Sequence, residues 1–274
     1  MKPISAPSTA QNLLIILSLV LTLTLIGANS SQAASHGVEQ TSMIANGQGI
    51  SSPSFWGGLS GENPAGLVQN DALNLQGTLI SPDDNFDNLG GSAAALLGNG
   101  NIGGGIEYSG YGQSHINWGV ALDIPQITTA FGLSAHHYTS NGSISSGYAS
   151  FDLGALVELT QAVQAGLILP DFTHGLHIIG AGLKWQTIYN LDLVLDAAYQ
   201  SLSTNAVIKP GVTVNVDILQ LAFAYGIATD STADVYLTRK VTAGVGLHLT
   251  QKFMLEYEYQ EIGKHRVGLT LRLN

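Results

Sequence analysis

The chain has 274 residues, 9 Lys or Arg against 19 Asp or Glu, no Cys, and a formal net charge of -10. Charged residues make up 10% of it, against about 25% in an ordinary soluble domain, too few to coat a surface that meets only water. Disorder is excluded by the 45% of hydrophobic residues, nucleic-acid binding by the acidic balance, and disulfide, Cys-zinc, iron–sulfur and thiol chemistry by the missing cysteines.

The amino terminus reads as an export signal over residues 1–33. Lys2 supplies the positive end, an apolar run extends from Leu13 to Ala28, and Ser31-Gln32-Ala33 offers small residues at the two positions a signal peptidase reads. A membrane anchor is the competing reading, but the run falls short of the roughly 20 residues a spanning helix needs.

Residues 34–71 are rich in Gly, Ser, Asn and Gln and have no periodicity. They form either a disordered tail or a plug folded into the lumen of whatever follows. From residue 72 onward the chain alternates with period two. Ile116, Trp118, Val120 and Leu122 alternate with Asn117, Gly119, Ala121 and Asp123; Phe253, Leu255, Tyr257 and Tyr259 alternate with Met254, Glu256, Glu258 and Gln260. The polar face carries Gly, Ser, Thr, Asn and scattered charges. That is the lumen face of a transmembrane barrel rather than the charge-rich outer face of a soluble sandwich. Strands of 9 to 11 residues suit a tilted bilayer crossing, and backbone groups in lipid are all paired only if the sheet closes.

The strands in chain order are 72–80, 92–98, 102–111, 115–124, 127–138, 147–159, 163–169, 177–185, 191–201, 213–225, 232–239, 242–250, 253–261 and 265–273. An even number is needed for both termini to lie on one side. This gives an all-β antiparallel transmembrane β-barrel of 14 strands spanning 72–274, or 12 if two early segments merge. Within 213–225 the apolar parity switches, and a bulge near Ile218 is expected to accommodate it.

Just before the first strand stands Asn63-Pro64-Ala65-Gly66-Leu67, after the small-residue stretch that includes Phe55-Trp56-Gly57-Gly58. This element resembles the amino-terminal hatch of the FadL/TodX family of outer-membrane transporters for fatty acids and other hydrophobic compounds. The likeness covers about 20 residues, beyond which only the architecture is shared. It implies 14 strands, a hatch made by Asn63, Pro64, Ala65, Gly66 and Leu67, and passive uptake of a hydrophobic small molecule across the outer membrane. The chain departs from the family in its short loops and in ending on Leu273-Asn274 rather than an aromatic residue.

Glu107, Asp123, Asp152, Glu256, Glu258, Arg266 and Arg272 have lumen parity. Glu256 and Glu258 lie one strand from Arg266 and Arg272, as cross-strand ion pairs stiffening the wall or as a polar constriction. Charge is zoned: 11 acidic and no basic residues lie between Ala34 and Leu183, but 8 of each follow from Lys184 onward. The uncompensated Glu107, Asp123 and Asp152 are expected to bias the lumen against anions. Trp118, Trp185, Tyr108, Tyr199, Tyr257 and Tyr259 have lipid parity and are candidates for interfacial girdles. Adjacent His136 and His137 point to opposite faces and cannot share a metal. No hydrolase, metalloprotease or phosphate-loop signature occurs, so neither an enzyme nor a cofactor is expected. The expected partners are outer-membrane lipid, a hydrophobic small-molecule ligand and the barrel-assembly machinery. Two other readings are a non-transporting structural or secretion-accessory barrel and a secreted soluble β-sandwich.

Overall fold

The structure is a computed structural model that describes residues 49–53, 59, 62–81, 89–110, 114–138, 149–174, 178–187, 190–201, 205–228, 241–260 and 264–273. The expected signal peptide, the first part of the 34–71 segment and the expected strand 232–239 lie outside the described residues.

Period-two alternation becomes fifteen strand segments: β1 Leu73–Ser81, β2 Gly90–Gly98, β3 Ile102–Ser109, β4 His115–Ile124, β5 Thr129–Tyr138, β6 Ala149–Thr160, β7 Val163–Leu169, β8 Ile178–Gln186, β9 Leu191–Gln200, β10 Asn205–Val216, β11 Leu219–Tyr225, β12 Ile227–Ala228, β13 Val241–His248, β14 Phe253–Gln260 and β15 Lys264–Leu273. Each of β1–β10 pairs antiparallel with the next of β2–β11, β11 continues to β13, β13 to β14 and β14 to β15, and β15 pairs with β1. The sheet therefore has no edge. The two-residue β12 extends β11 past Gly226, pairing with the same strand β10, so the barrel has 14 staves. The soluble sandwich is ruled out: one sheet closes on itself, and its outward face carries exposed Leu79, Leu97, Leu195, Phe223, Val245 and Leu269. Such a face belongs in lipid.

Two expectations are corrected between 205 and 225. The segment 213–225 is two strands, and the parity switch near Ile218 is a tight hairpin rather than a bulge. Val216 pairs with Leu219, and Asp217 takes the left-handed conformation at φ 52, which Asp tolerates better than most residues. A two-residue turn carries the outward face from even-numbered Val216 to odd-numbered Leu219. The strand also begins earlier, at Asn205, running through Pro210. Proline removes a ladder donor and normally signals a break. Here the ladder on one side is interrupted anyway, between the Ile208–Ile227 and Gly211–Ala224 pairs.

The connections are short at one end of the barrel. Asn99 anchors one turn by accepting from the N–H groups of Asn101 and Ile102, with Gly100 at φ 80. Thr128 (φ 49), Asn190 (φ 55) and Asp217 supply left-handed residues to three others. Outward tyrosines collect at the opposite end: Tyr108, Tyr199, Tyr225, Tyr257 and Tyr259 sit at the upper ends of β3, β9, β11 and β14. Trp185 lies at the short-turn end of β8, whereas Trp118 is mid-strand and packs edge-on against Phe151 at 6.4 Å.

Candidate functional site in the barrel interior

Most of the described residues ahead of β1 are buried against the wall, with Gln69 and Asp71 exposed. Asn63 caps a 3-10 helix, Pro64–Gln69, through its side-chain oxygen to the Ala65 N–H at 3.1 Å. Pro64 at the first helical position loses a donor that would have been unsatisfied anyway. Pro64 through Val68 are buried, and the helix packs against the inner faces of β2 to β6.

Inward-facing glycines make this seat. A Cβ on Gly98 would overlap the Asn70 carbonyl, one on Gly103 the Leu67 carbonyl, one on Gly132 the Pro64 carbonyl, and one on Gly154 the Asn63 side chain. Gly166 and Gly180 leave the same room for Ile50. With Gly119 of β4, where a Cβ would crowd Leu67, the register places these glycines on successive strands from β2 to β8, so they form a track of bare backbone against which the described inner residues, called the strap, pack. Apolar contacts fill the seat. Leu59, Ala65, Leu67 and Val68 cluster with Leu96, Ala121, Ala130 and Leu156 of the wall, and Ile50 clusters with Ile168, Ala198 and Val207.

Two polar anchors fix the strap. The Asn63 amide donates to the carbonyls of Ile50 (2.9 Å), Ala155 (2.9 Å) and Leu167 (3.2 Å), tying the strap to itself and to β6 and β7. The second anchor is Asp196 on β9, fully buried. Its carboxylate accepts from the Ile50 N–H (3.1 Å), the Ser51 N–H (3.2 Å) and the Ser51 hydroxyl (2.7 Å). Gly182, directly opposite on β8, leaves space for both the carboxylate and Ser51. The sequence carried no signal for Asp196, because its partners are 145 and 146 residues away.

The acidic half of the wall holds a second arrangement. His136 Nε2 lies 2.9 Å from Asp152 and Nδ1 lies 3.0 Å from the Asn117 side-chain oxygen. The Asn117 amide donates to Glu107 at 3.0 Å, which fixes its oxygen towards His136. The two ring nitrogens are therefore both engaged, Nε2 by Asp152 and Nδ1 by the Asn117 side chain. Asp152 also accepts the Asp171 N–H at 2.8 Å, linking the wall to the β7–β8 connection. Glu107 and Asp152 thus serve a buried Glu–Asn–His–Asp chain across β3 to β6. His137 faces outward, so the adjacent pair is split between faces as its strand position requires.

Elsewhere, Asp123 lies half-buried at the short-turn end. Glu258 pairs with buried Arg266 at 3.6 Å, directly opposite in register. Glu256 accepts from Gln76 at 3.2 Å, two strands away, over the small Gly268. Arg272 stands at the rim and pairs with Asp71 at 2.6 Å, not with Glu256 or Glu258. Lys184 lies 3.4 Å from Asp192. Among the described residues no group of His, Asp and Glu is arranged to hold a metal.

No family model matches the chain and no curated protein matches it significantly. Among solved structures, the chain is similar to the outer membrane protein Omp33 of Acinetobacter baumannii, at 12% identity and a TM-score of 0.49, covering 75% of this chain and 99% of that one. It is also similar to a mutant porin of Rhodopseudomonas blastica, at 9% identity and a TM-score of 0.47, covering 74% and 99%. A bacterial polysaccharide outer membrane secretin matches at 9% identity and a TM-score of 0.46, with the same coverage. The barrel assignment rests on the strand register and not on these likenesses.

Proposed function

We propose that the chain is an outer-membrane barrel for passive uptake of hydrophobic small molecules such as fatty acids or hydrocarbons, with residues 34–71 as its plug. The observation that carries this reading is the strap itself. Asn63-Pro64-Ala65-Gly66-Leu67 caps and packs a short helix against an apolar wall inside a closed barrel, in the same sequence position as the hatch of the FadL/TodX-type transporters it resembles. A seat held by backbone contacts and a few apolar side chains can release its occupant, and an apolar molecule can use the vacated surface. The exposed apolar exterior supports a lipid partner, and the export signal expected over residues 1–33 would deliver the chain to barrel-assembly machinery.

The second reading is a non-transporting wall protein. The burial of Asp152, Asp196, Glu258 and Arg266 favours it, since an interior filled by paired side chains is that of a stiff barrel. Uptake of a radiolabelled long-chain alkane or fatty acid by cells carrying or lacking the protein separates the two. The transport reading predicts slower uptake without the protein and altered uptake with Asn63→Ala. Equal uptake in both strains contradicts it.

A further inference from the structure

We propose that Glu256 anchors a binding site for a small monovalent cation such as sodium, set in the polar half of the lumen wall away from the strap. This goes beyond the uptake reading and does not depend on it.

The two inward carboxylates of β14 stand two residues apart and are met differently. Glu258 lies directly opposite Arg266 in the β14–β15 register and pairs with it at 3.6 Å. Glu256 lies opposite Gly268 on β15 and Gly246 on β13, so neither neighbouring strand sets a cation across from it. Glu256 is 2% exposed. The neutral Gln76 amide donates to its Oε2 at 3.2 Å, while Oε1 is buried with no hydrogen-bond partner among the described residues. A carboxylate taken out of water is unfavourable unless a countercharge meets it, and an amide brings none.

Neutral oxygens flank this carboxylate. Thr270 is its diagonal neighbour on β15, within reach across the sheet. The Thr270 hydroxyl is buried and acts on the same carboxylate, yet it has no partner at hydrogen-bond geometry among the described residues. Two buried oxygens that do not bond each other are joined by a cation between them. On the other flank Gln220 of β11 faces Gly246. Its amide nitrogen is committed to Asn215 at 2.8 Å, and its oxygen lies 3.4 Å from where a Cβ on Gly246 would stand. The Met254 methyl lies over the same glycine and brings no donor. Hard cations take oxygen ligands, and acidic side chains with neutral oxygens are what cation-selective pores present. One carboxylate among hydroxyl and amide oxygens matches a singly charged ion. Among the described residues no group of three His, Asp or Glu offers a divalent one a site.

The test is the ion dependence of stability in the full-length chain, folded in lipid vesicles and read as the urea midpoint by heat-shifted gel migration. Sodium chloride replaces choline chloride at constant ionic strength, so screening is unchanged and only the size of the cation differs. An ion that binds the folded state alone raises the folded-to-unfolded ratio as its site fills. A hundredfold rise in sodium through that range should therefore raise the ratio about tenfold or more. Glu256→Gln should abolish the dependence and, in choline, should be at least as stable as the wild type, because an uncompensated buried charge has gone. Thr270→Val should need about threefold more sodium for the same rise. Asp71→Asn, at the exposed rim, should keep the full dependence. A carboxylate that serves only to hold Gln76 gives another pattern, with Glu256→Gln losing stability equally in both salts. That pattern, a wild type indifferent to the exchange of sodium for choline, or sodium dependence retained in Glu256→Gln overturns the site. If Glu256→Gln does not assemble, Thr270→Val carries the assignment, and an unchanged sodium demand in that variant overturns it. Alkane uptake by cells bears on the transport reading alone.

Discussion

The two halves of the barrel wall solve the same problem in opposite ways. From β2 to β8 the interior face carries a run of glycines, against which the described residues ahead of β1 pack, beside the buried Glu107–Asn117–His136–Asp152 chain. From β9 round to β1 the wall fills its own interior with long polar side chains, Glu256, Glu258, Arg266 and Gln76 among them. A 14-stranded barrel is too wide for small side chains to fill. The comparison teaches that glycine richness here is a packing device for a second layer of backbone, and that the removable filling lies on one side only. The zoned charge follows the same division. Lys184, near the end of β8, is the one Lys or Arg from β2 to β8, and the buried Asp152 and Glu107 of that half are served by His136 and Asn117.

The sharpest way to break the comparison is to strip the glycine half of its buried histidine. His136→Ala leaves buried Asp152 without its ring partner, and removing one member of a buried pair costs about 3–5 kcal/mol. The expected outcome is a large drop in the urea midpoint of unfolding in lipid vesicles, read by heat-shifted gel migration. His136→Gln, which retains a donor towards Asp152, should recover part of the loss. Next in size is the glycine track. Gly132→Ala forces a methyl into the Pro64 carbonyl and should cost about 1–3 kcal/mol by overpacking. Gly77→Ala is the matched control: it is also a strand glycine, but a Cβ there meets nothing within 4 Å, and the change should stay within about 0.5 kcal/mol. Equal effects at the two positions would break the claim that the track is a seat. The smallest effect belongs to the rim. Arg272 and Asp71 are well exposed, so Arg272→Ala should cost less than about 1 kcal/mol, measured by the same midpoint.

The barrel was legible because alternation is a local property. Phe253, Leu255, Tyr257 and Tyr259 declare their face within one strand, and the even count follows from topology. Strand β10 escaped for an equally local reason: Pro210 reads as a stop, and only the interrupted neighbouring ladder explains its presence. The position of Asn63-Pro64-Ala65 before β1 was legible as a motif, but its three carbonyl partners were not. The inward glycines could be counted as lumen-facing, yet nothing in Gly103 or Gly132 says that Leu67 or Pro64 lies over it. His136 was visible only as half of an adjacent pair on opposite faces. Its partners Asn117 and Asp152 come from flanking strands, and its importance appears when β4, β5 and β6 are placed in register.

The seating of the strap in the lumen is tested most directly by one accessibility measurement. Ala65→Cys, in a chain with no other cysteine, is exposed to a membrane-impermeant maleimide in intact vesicles, beside Gln161→Cys in the exposed β6–β7 turn. Ala65 is fully buried against the wall, so its cysteine should label more than about a hundredfold more slowly than that at 161, the factor carried by a local opening of about 2.7 kcal/mol. Labelling at the same rate as position 161 would mean that the segment is a free tail, and would contradict the account of a strap seated on the glycine wall.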